Sequence, residues 1–295
     1  MASARTLVGA IELGGTKALC AVGSSARAVI ETRIPTTTPG QTLSAIETFF
    51  APYRHELIAL GIAAFGPLEL NAGPKFGSLL RTPKVGWEGT PLASRLSQYL
   101  SVPVRIDTDV NAAAVAEQRL GAGRGANPCV YITVGTGIGV GVTMNGATLH
   151  GLLHPELGHL QAPALDDFAG VCPFHGRCLE GVASAPALQA RLGMPPDRIS
   201  AADPIWDLEA RYLAHLLTAC VLAYAPQRIV LGGGVFERPG LLERVRPQLL
   251  KELAGYIPRS ELTEAGITDY VRRPHFGQRA GLIGAFLLGE DAVAS

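Results

Sequence analysis

With 295 residues, 47% of them apolar and 17% charged, the chain has material for one large domain or two ordinary lobes and is far from a disordered composition. Its 25 basic side chains are matched by 25 acidic ones, and its longest basic run is Arg272-Arg273, which argues against a nucleic-acid partner or attraction to an anionic membrane. The opening stretch, MASARTLVGAIELGG, has one arginine and a short apolar run that ends in Glu12 and glycines. That is too brief and interrupted for a signal peptide or a membrane span, so a cytoplasmic protein is expected.

Thr6 to Ile11 is a β-branched apolar run of the kind that forms a buried strand, and apolar residues resume at Ala18 to Val22. Between them lie Glu12, Leu13, Gly14, Gly15, Thr16 and Lys17, which reads as a β-hairpin turn. Two glycines let backbone amides approach a phosphate, Thr16 offers a hydroxyl and Lys17 a cation; as structure alone, the glycine pair is simply a tight turn. Helical spacing follows from Gln41, broken near Pro52, and Ile58 to Phe65 reads as a strand ending in Gly66-Pro67. Asn71 to Trp87 is a long loop punctuated by Gly and Pro, a length usually kept for function. A short helix over Thr90 to Leu100 leads to a strand at Val102 to Ile106, which delivers Asp107, Thr108, Asp109, Val110 and Asn111 ahead of a helix over Ala112 to Leu120. An Asp at a strand end before a helix is where α/β proteins place chemistry, and it is equally a good helix N-cap.

Cys129 to Val134 begins a second copy of the opening pattern, leading into Gly135, Thr136, Gly137, Ile138 and Gly139 and a following strand about 120 residues after the first. One weak duplication suggests two related lobes, each offering a glycine hairpin to a shared cleft. Helices are expected over Ala185 to Leu192 and Pro204 to Tyr224, then a strand at Arg228 to Leu231 capped by Gly232, Gly233 and Gly234, a turn that also permits close contact with a flat ligand. Leu241 to Leu253 is amphipathic with a kink or restart at Pro247, Asp269 to Arg272 is a final strand, and Gly281 to Gly289 lies in the closing helix.

The densest chemistry lies between His154 and Glu180, which hold two of the five cysteines, three of the seven histidines and two glutamates. Cys172, His175 and Cys178 stand three residues apart, with His159 thirteen residues upstream of Cys172, which is a metal-ligand pattern. A Cys172 to Cys178 disulfide and a chance surface cluster compete with it. An odd number of cysteines without an export signal favours reduced thiols.

Taken together, GAIELGGTK (9 to 17), GPLELN (66 to 71), TPKVGW (82 to 87), DTDVNAAAVAE (107 to 117), VGTGIGVG (134 to 141), GLLHPELGHL (151 to 160), CPFHGRCLEG (172 to 181) and LGGGV (231 to 235) resemble the ROK family of sugar kinases and repressors, and most of all its fructokinase branch. The resemblance implies an α/β, two-lobed, actin-like (ribonuclease H-like) sugar-kinase fold with a central cleft. The lobes would be residues 1–115, joined by a closing helix at 281–295, and residues 116–280 with a zinc-binding insertion at 154–180. It implies ATP- and Mg2+-dependent phosphorylation of a hexose, fructose above all, and a homodimer is the expected assembly. Gly14, Gly15, Thr16 and Lys17 would form the first phosphate loop and Gly135, Thr136 and Gly137 the second. Gly232 and Gly233 would lie near the adenosine and Glu12 near the metal-bound phosphates.

Asp109 is the expected general base, with Asn111, Glu156, His159, Glu180 and Gly66 at the sugar. Solvated surface charge is the competing reading of Glu156 and Glu180. His159, Cys172, His175 and Cys178 suit a tetrahedral, structural Zn2+, with His154 the spare histidine, expected to pack near the loop. Other branches tend to carry three cysteines where His175 takes one place here, which tilts the choice away from glucose, mannose or an N-acetylated amino sugar. A sugar sensor without catalysis and a zinc-dependent nucleic-acid module are the rivals from other classes. Two departures stand out: the chain starts at the first strand, which leaves no room for the repressors' helix-turn-helix, and Gln278-Arg279 stands where an acidic residue is expected.

Overall fold

A computed structural model describes residues 7–294, so Thr6 of the first expected strand lies outside the described residues. The chain divides into two compact units. One holds the described residues through Ala116 together with Leu149–His154 and the stretch from Arg279; the other holds Glu117–Thr148 and Pro155–Gln278.

In the first unit, strands β1 (Leu7–Leu13), β2 (Lys17–Gly23) and β3 (Ala28–Pro35) form an antiparallel meander. Helix α1 (Pro39–Phe50) starts at the Thr38 cap with Pro39 in its first turn, and a single tight turn over Ala51–Tyr53 ends it where Pro52 stands. Strand β4 (Leu57–Ala64) then pairs parallel with β1. Helix α2 (Leu92–Leu100) leads into β5 (Val104–Thr108), parallel to β4, and the sheet order is β3-β2-β1-β4-β5. Helix α3 (Asp109–Leu120) follows without a break. β3 went unread in the sequence because it is an edge strand with Val29 and Ile30 exposed, so it shows no buried apolar run.

In the second unit, β6 (Cys129–Val134), β7 (Ile138–Met144) and β8 (Ala147–Thr148) repeat the meander. Short α4 (Leu179–Ala183) and α5 (Ala185–Leu192) lead to the long α6 (Ile205–Tyr224) and to β9 (Arg228–Gly232), parallel to β6. Helix α7 (Leu241–Leu253) packs on α6. It runs through Pro247 instead of restarting there. Leu241, Val245, Leu249 and Leu253 are buried along its whole length, which outweighs the one backbone hydrogen bond that proline removes. The expected strand over Asp269 to Arg272 is instead the end of a short helix, α8 (Ile267–Tyr270), and a two-residue strand, β10 (Val271–Arg272). The sheet order is β10-β9-β6-β7-β8, the same strand order and pairing directions as the first sheet.

The closing helix α9 (Ala280–Ala294) belongs to the first unit. Val8, Ala10, Ala21 and Ala63 on one face of the first sheet pack with its Leu282, Ala285, Phe286 and Leu288, while Ile11, Leu13, Ile62 and Leu60 pack with α1 and α2 on the other. The approach is close enough that a Cβ on Gly61 would come within 1.7 Å of the Ala285 carbonyl oxygen, and one on Gly284 within 2.0 Å of that of Ala112. Small residues therefore set how deeply the helix seats. Among the described residues no helix is long and apolar enough to cross a membrane.

Candidate active site

The first glycine turn joins β1 to β2, with Leu13 opposite Ala18 and the Gly14 amide donating to the Lys17 carbonyl (2.9 Å). Neither Gly14 nor Gly15 has a positive φ, and a Cβ on Gly15 would meet nothing within 4 Å. The second turn is alike: the Gly135 amide donates to the Gly137 carbonyl (2.9 Å), φ is not positive at Gly135, and its Cβ would come no closer than 4.0 Å to a neighbour. At Gly15 and Gly135, therefore, neither backbone conformation nor protein contacts require glycine, whereas a Cβ on Gly14 would lie 3.2 Å from the Lys17 carbonyl oxygen. Bare backbone at such a turn is what an incoming phosphate would need.

Two braces that the sequence did not reveal hold the first turn. Lys84 Nζ donates to the carbonyls of Gly15 (2.6 Å) and Thr36 (3.2 Å), and Thr36 Oγ1 donates to the Gly14 carbonyl (2.8 Å). Trp87, fully buried, donates its indole N–H to the Thr37 carbonyl (2.9 Å) and packs edge-on to Phe65, so the long loop after Asn71 is a support for the hairpin.

Asp109 is the first residue of α3, but the helix is capped by its neighbour: Thr108 Oγ1 accepts from the Asn111 amide (3.2 Å). The N-cap reading of Asp109 is thereby corrected. Its Oδ1 accepts from the adjacent Val110 amide (2.8 Å), and burial pushes its carboxyl up to about 6 against the opposing pull of the Val110 amide and its own. Glu12, also in this unit, is pushed up to about 7 by burial first and then by the negative charge of Asp109, against the opposing pull of Lys17 and the Leu282 amide. Its Oε2 is buried with no hydrogen-bond partner, and its carboxyl fills the space where a Gly281 Cβ would lie, 2.7 Å away. Asn111 is fully buried, its Nδ2 donating to Asp107 (2.7 Å) and its Oδ1 without a partner. Gly66 follows β4, half-buried and joined to Pro67 by a cis bond.

In the second unit His159, Cys172, His175 and Cys178 present ligand atoms that all lie within 4.8 Å of one another. His159 Nδ1 is 3.8 Å from Cys172 Sγ and 3.5 Å from Cys178 Sγ, and His175 Nδ1 is 3.7 Å from Cys172 Sγ. A tetrahedral Zn2+ with its usual bond lengths needs ligand atoms about 3.3–3.8 Å apart, so the donor set and its spacing fit that ion. All five cysteines are free thiols, and burial pushes Cys178 up to about 12. His154 lies in the other unit, buried, its Nε2 accepting from the Leu68 amide (3.2 Å).

Behind the cluster, Asp166 pairs with Arg191 and Arg177 and accepts from Tyr212 Oη (2.8 Å), which ties the loop to α5 and α6. Glu180, half-buried rather than a free surface charge, accepts from the Ile138 amide (3.0 Å) and stands 4.0 Å from His159 Nε2. A Cβ on Gly137 would come within 2.6 Å of its carboxylate, and one on Gly158 within 1.9 Å of the Ile138 carbonyl oxygen. The cluster is thus packed directly onto the second glycine turn. Glu156 is half-buried just ahead of the tight turn that carries His159. Gly232 and Gly233 have a packing requirement of their own, against Pro274 and the backbone of Val134. Gln278 bonds Glu237 (3.3 Å) and Arg279 pairs with Glu31 (2.8 Å), so each has an acidic partner within its own unit.

The sequence profile of the ROK family matches residues 8–292. The fructokinase of Zymomonas mobilis is 40% identical over 299 residues, covering 98% of each chain, and the fructokinase of Lactococcus lactis is 39% identical over 271 residues, covering 90% of each. A solved ROK family glucokinase from Streptomyces griseus, in complex with glucose and AMPPNP, superposes with a TM-score of 0.77 at 25% identity, covering 97% of this chain and all of the other. A chain with two α/β sheets of this order and a match over nearly its whole length has the actin-like sugar-kinase fold. It belongs to the ROK family.

Proposed function

We propose that this chain transfers the γ-phosphoryl group of ATP to fructose, giving fructose 6-phosphate and ADP. The observation that carries the reading is Asp109, a carboxylate on the first turn of α3, relieved of capping by Thr108 and tuned so that it is ionised at neutral pH yet basic enough to accept a hydroxyl proton. The fructokinase names of relatives at 39–40% identity support the choice of sugar.

In this reading Asp109 takes the proton of the attacking hydroxyl, whose oxygen forms the new bond to γ-phosphorus as the bond to the ADP oxygen breaks. Gly14, Gly15, Thr16 and Lys17 serve as the first phosphate loop and Gly135, Thr136 and Gly137 as the second, with open space beside the backbone at Gly15 and Gly135. Gly232 and Gly233 sit by the adenosine. Glu12, whose buried Oε2 has no hydrogen-bond partner, would lie beside a bound Mg2+, which would supply neutralisation of the phosphate charge. Asn111, Glu156, His159, Glu180 and Gly66 bind the sugar. His159, Cys172, His175 and Cys178 would hold a structural Zn2+; with four protein ligands it would have no open position for hydrolytic chemistry, and it would brace the segment whose Glu180 accepts from the Ile138 amide of the second turn. Balanced charge supports a protein without a nucleic-acid partner, and a cytoplasmic homodimer completes the reading.

A coupled assay of ADP release over a panel of fructose, glucose, mannose and N-acetylated amino sugars tests it. The expected outcome is the highest kcat/KM with fructose; strong turnover of glucose with none of fructose would overturn the sugar assignment.

A further inference from the structure

Asp107, the fourth residue of β5, is 2% exposed. A carboxylate this deeply buried needs hydrogen-bond donors or a cation. Two donors are local: the Thr108 amide (2.7 Å) and Asn111 Nδ2 (2.7 Å), both to Oδ1. A third comes from 43 residues further along the chain, where His150 Nε2 stands 3.1 Å from each carboxylate oxygen. The hydrogen bond to Asp107 is also what raises the His150 imidazole above its ordinary value, so that its charged form is the one favoured beside the acid.

This arrangement decides which way the Asn111 amide points. Its nitrogen must face Asp107, because an oxygen there would meet a carboxylate. The consequence is that Asn111 Oδ1 is the atom left buried and without a partner, in a side chain that is wholly buried and lies two residues after Asp109. An orphaned acceptor in such a place is costly unless a ligand donates to it. His150 also stands 3.2 Å from Asn111 Nδ2, so it touches both members of the pair. Its own position is fixed in turn. The segment Leu149–His154 belongs to the first unit and is tied there by the Leu152 carbonyl, which accepts from Asn71 Nδ2 (3.1 Å), and by His154, which accepts from the Leu68 amide (3.2 Å).

We propose that His150 is a positioning residue of the sugar site: it holds the Asp107 carboxylate so that Asn111 presents its oxygen to a sugar hydroxyl. The inference rests on the reading of this chain as a hexose kinase with Asn111 at the sugar, and it adds a residue that acts through Asn111 without touching the reacting atoms.

The test is His150→Ala, with His150→Met made alongside to keep the volume without the donor should the alanine variant not fold, and His150→Gln to keep a donor. KM for fructose and for ATP and kcat are measured separately, and sugar binding is followed by calorimetry without nucleotide. The expected result is a rise of about tenfold or more in KM and Kd for fructose in the alanine or methionine variant, with KM for ATP within about twofold, and recovery to within about threefold in His150→Gln. In an Asn111→Ala background, loss of the imidazole should add almost nothing, as expected of residues acting through one contact. Unchanged fructose KM and Kd, equal losses for both substrates, or independent multiplying effects of the two substitutions would overturn the inference. The hexose panel separates this from the parent reading. A wild-type protein that binds hexose without phosphorylating it would sink the kinase reading and leave calorimetry to decide the role of His150. A wild-type protein that neither binds nor turns over any hexose would sink both.

Discussion

Asp109 illustrates how a single carboxylate is freed for chemistry. Position 109 is attractive for capping, yet Thr108, one residue earlier, already satisfies the Asn111 amide, and Asp109 is left partly desolvated at the helix start. Nothing local in the sequence separates the two readings, since Thr and Asp are both good caps and only the backbone path decides which one sits outside the helix. Burial raises the folded-state value of Asp109 to about 6 from the ordinary 3.8, so the native state binds a proton more tightly than the unfolded chain does. Its contribution to stability is most favourable below about pH 4 and is lost as pH rises through about 6. Asp109→Asn should therefore melt at a higher temperature than the wild type at pH 8 while kcat falls by about 10²–10⁴. The wild-type rate should fall below about pH 6 as the base protonates. Calorimetric melting and a pH-rate profile check both halves; a less stable variant with unchanged kcat would remove Asp109 from the role of base.

At the scale of elements, the hairpins, the buried strands β4, β6 and β9 and the helices α5 and α6 were legible because each rests on a local apolar pattern or on glycines. What was not legible depends on contacts between distant segments. Lys84 bracing Gly15, His150 on Asp107, and Glu180 on the Ile138 amide join positions 42 to 69 residues apart. Their residue types carry no mark of those partners. The Cys and His spacing was legible as a metal pattern for the opposite reason, since four ligands fall within 20 residues of chain.

The glycine turns give the element-scale prediction. Because Gly15 has no positive φ and nothing lies within 4 Å of where its Cβ would stand, Gly15→Ala should leave the melting temperature unchanged or slightly raised. KM for ATP should nevertheless rise about tenfold through crowding of the phosphate, with KM for fructose little changed. A variant that is destabilised with an unaltered ATP KM would return Gly15 to the status of an ordinary turn residue.

Across the whole molecule the same five-strand order appears twice, β3-β2-β1-β4-β5 and β8-β7-β6-β9-β10, each sheet with a glycine turn between its first two strands in the chain. The repeat of glycine loop and strand was visible in the sequence; the matching of all five strands was not, because β3, β8 and β10 are short or exposed and leave little apolar signal. Each copy carries its own complement of chemistry. The first holds Asp109, Glu12 and the Asp107, Asn111 and His150 network, and the second holds the Cys/His cluster and Glu180. The match to the ROK family runs through both, over residues 8–292. Phosphorus NMR of the purified protein with ATP, Mg2+ and fructose tests the proposed chemistry directly. The resonance of fructose 6-phosphate should grow in step with that of ADP, one for one, and Asp109→Asn should form neither. ADP accumulating with inorganic phosphate and no sugar phosphate, or the same product from the Asp109→Asn protein, would contradict it.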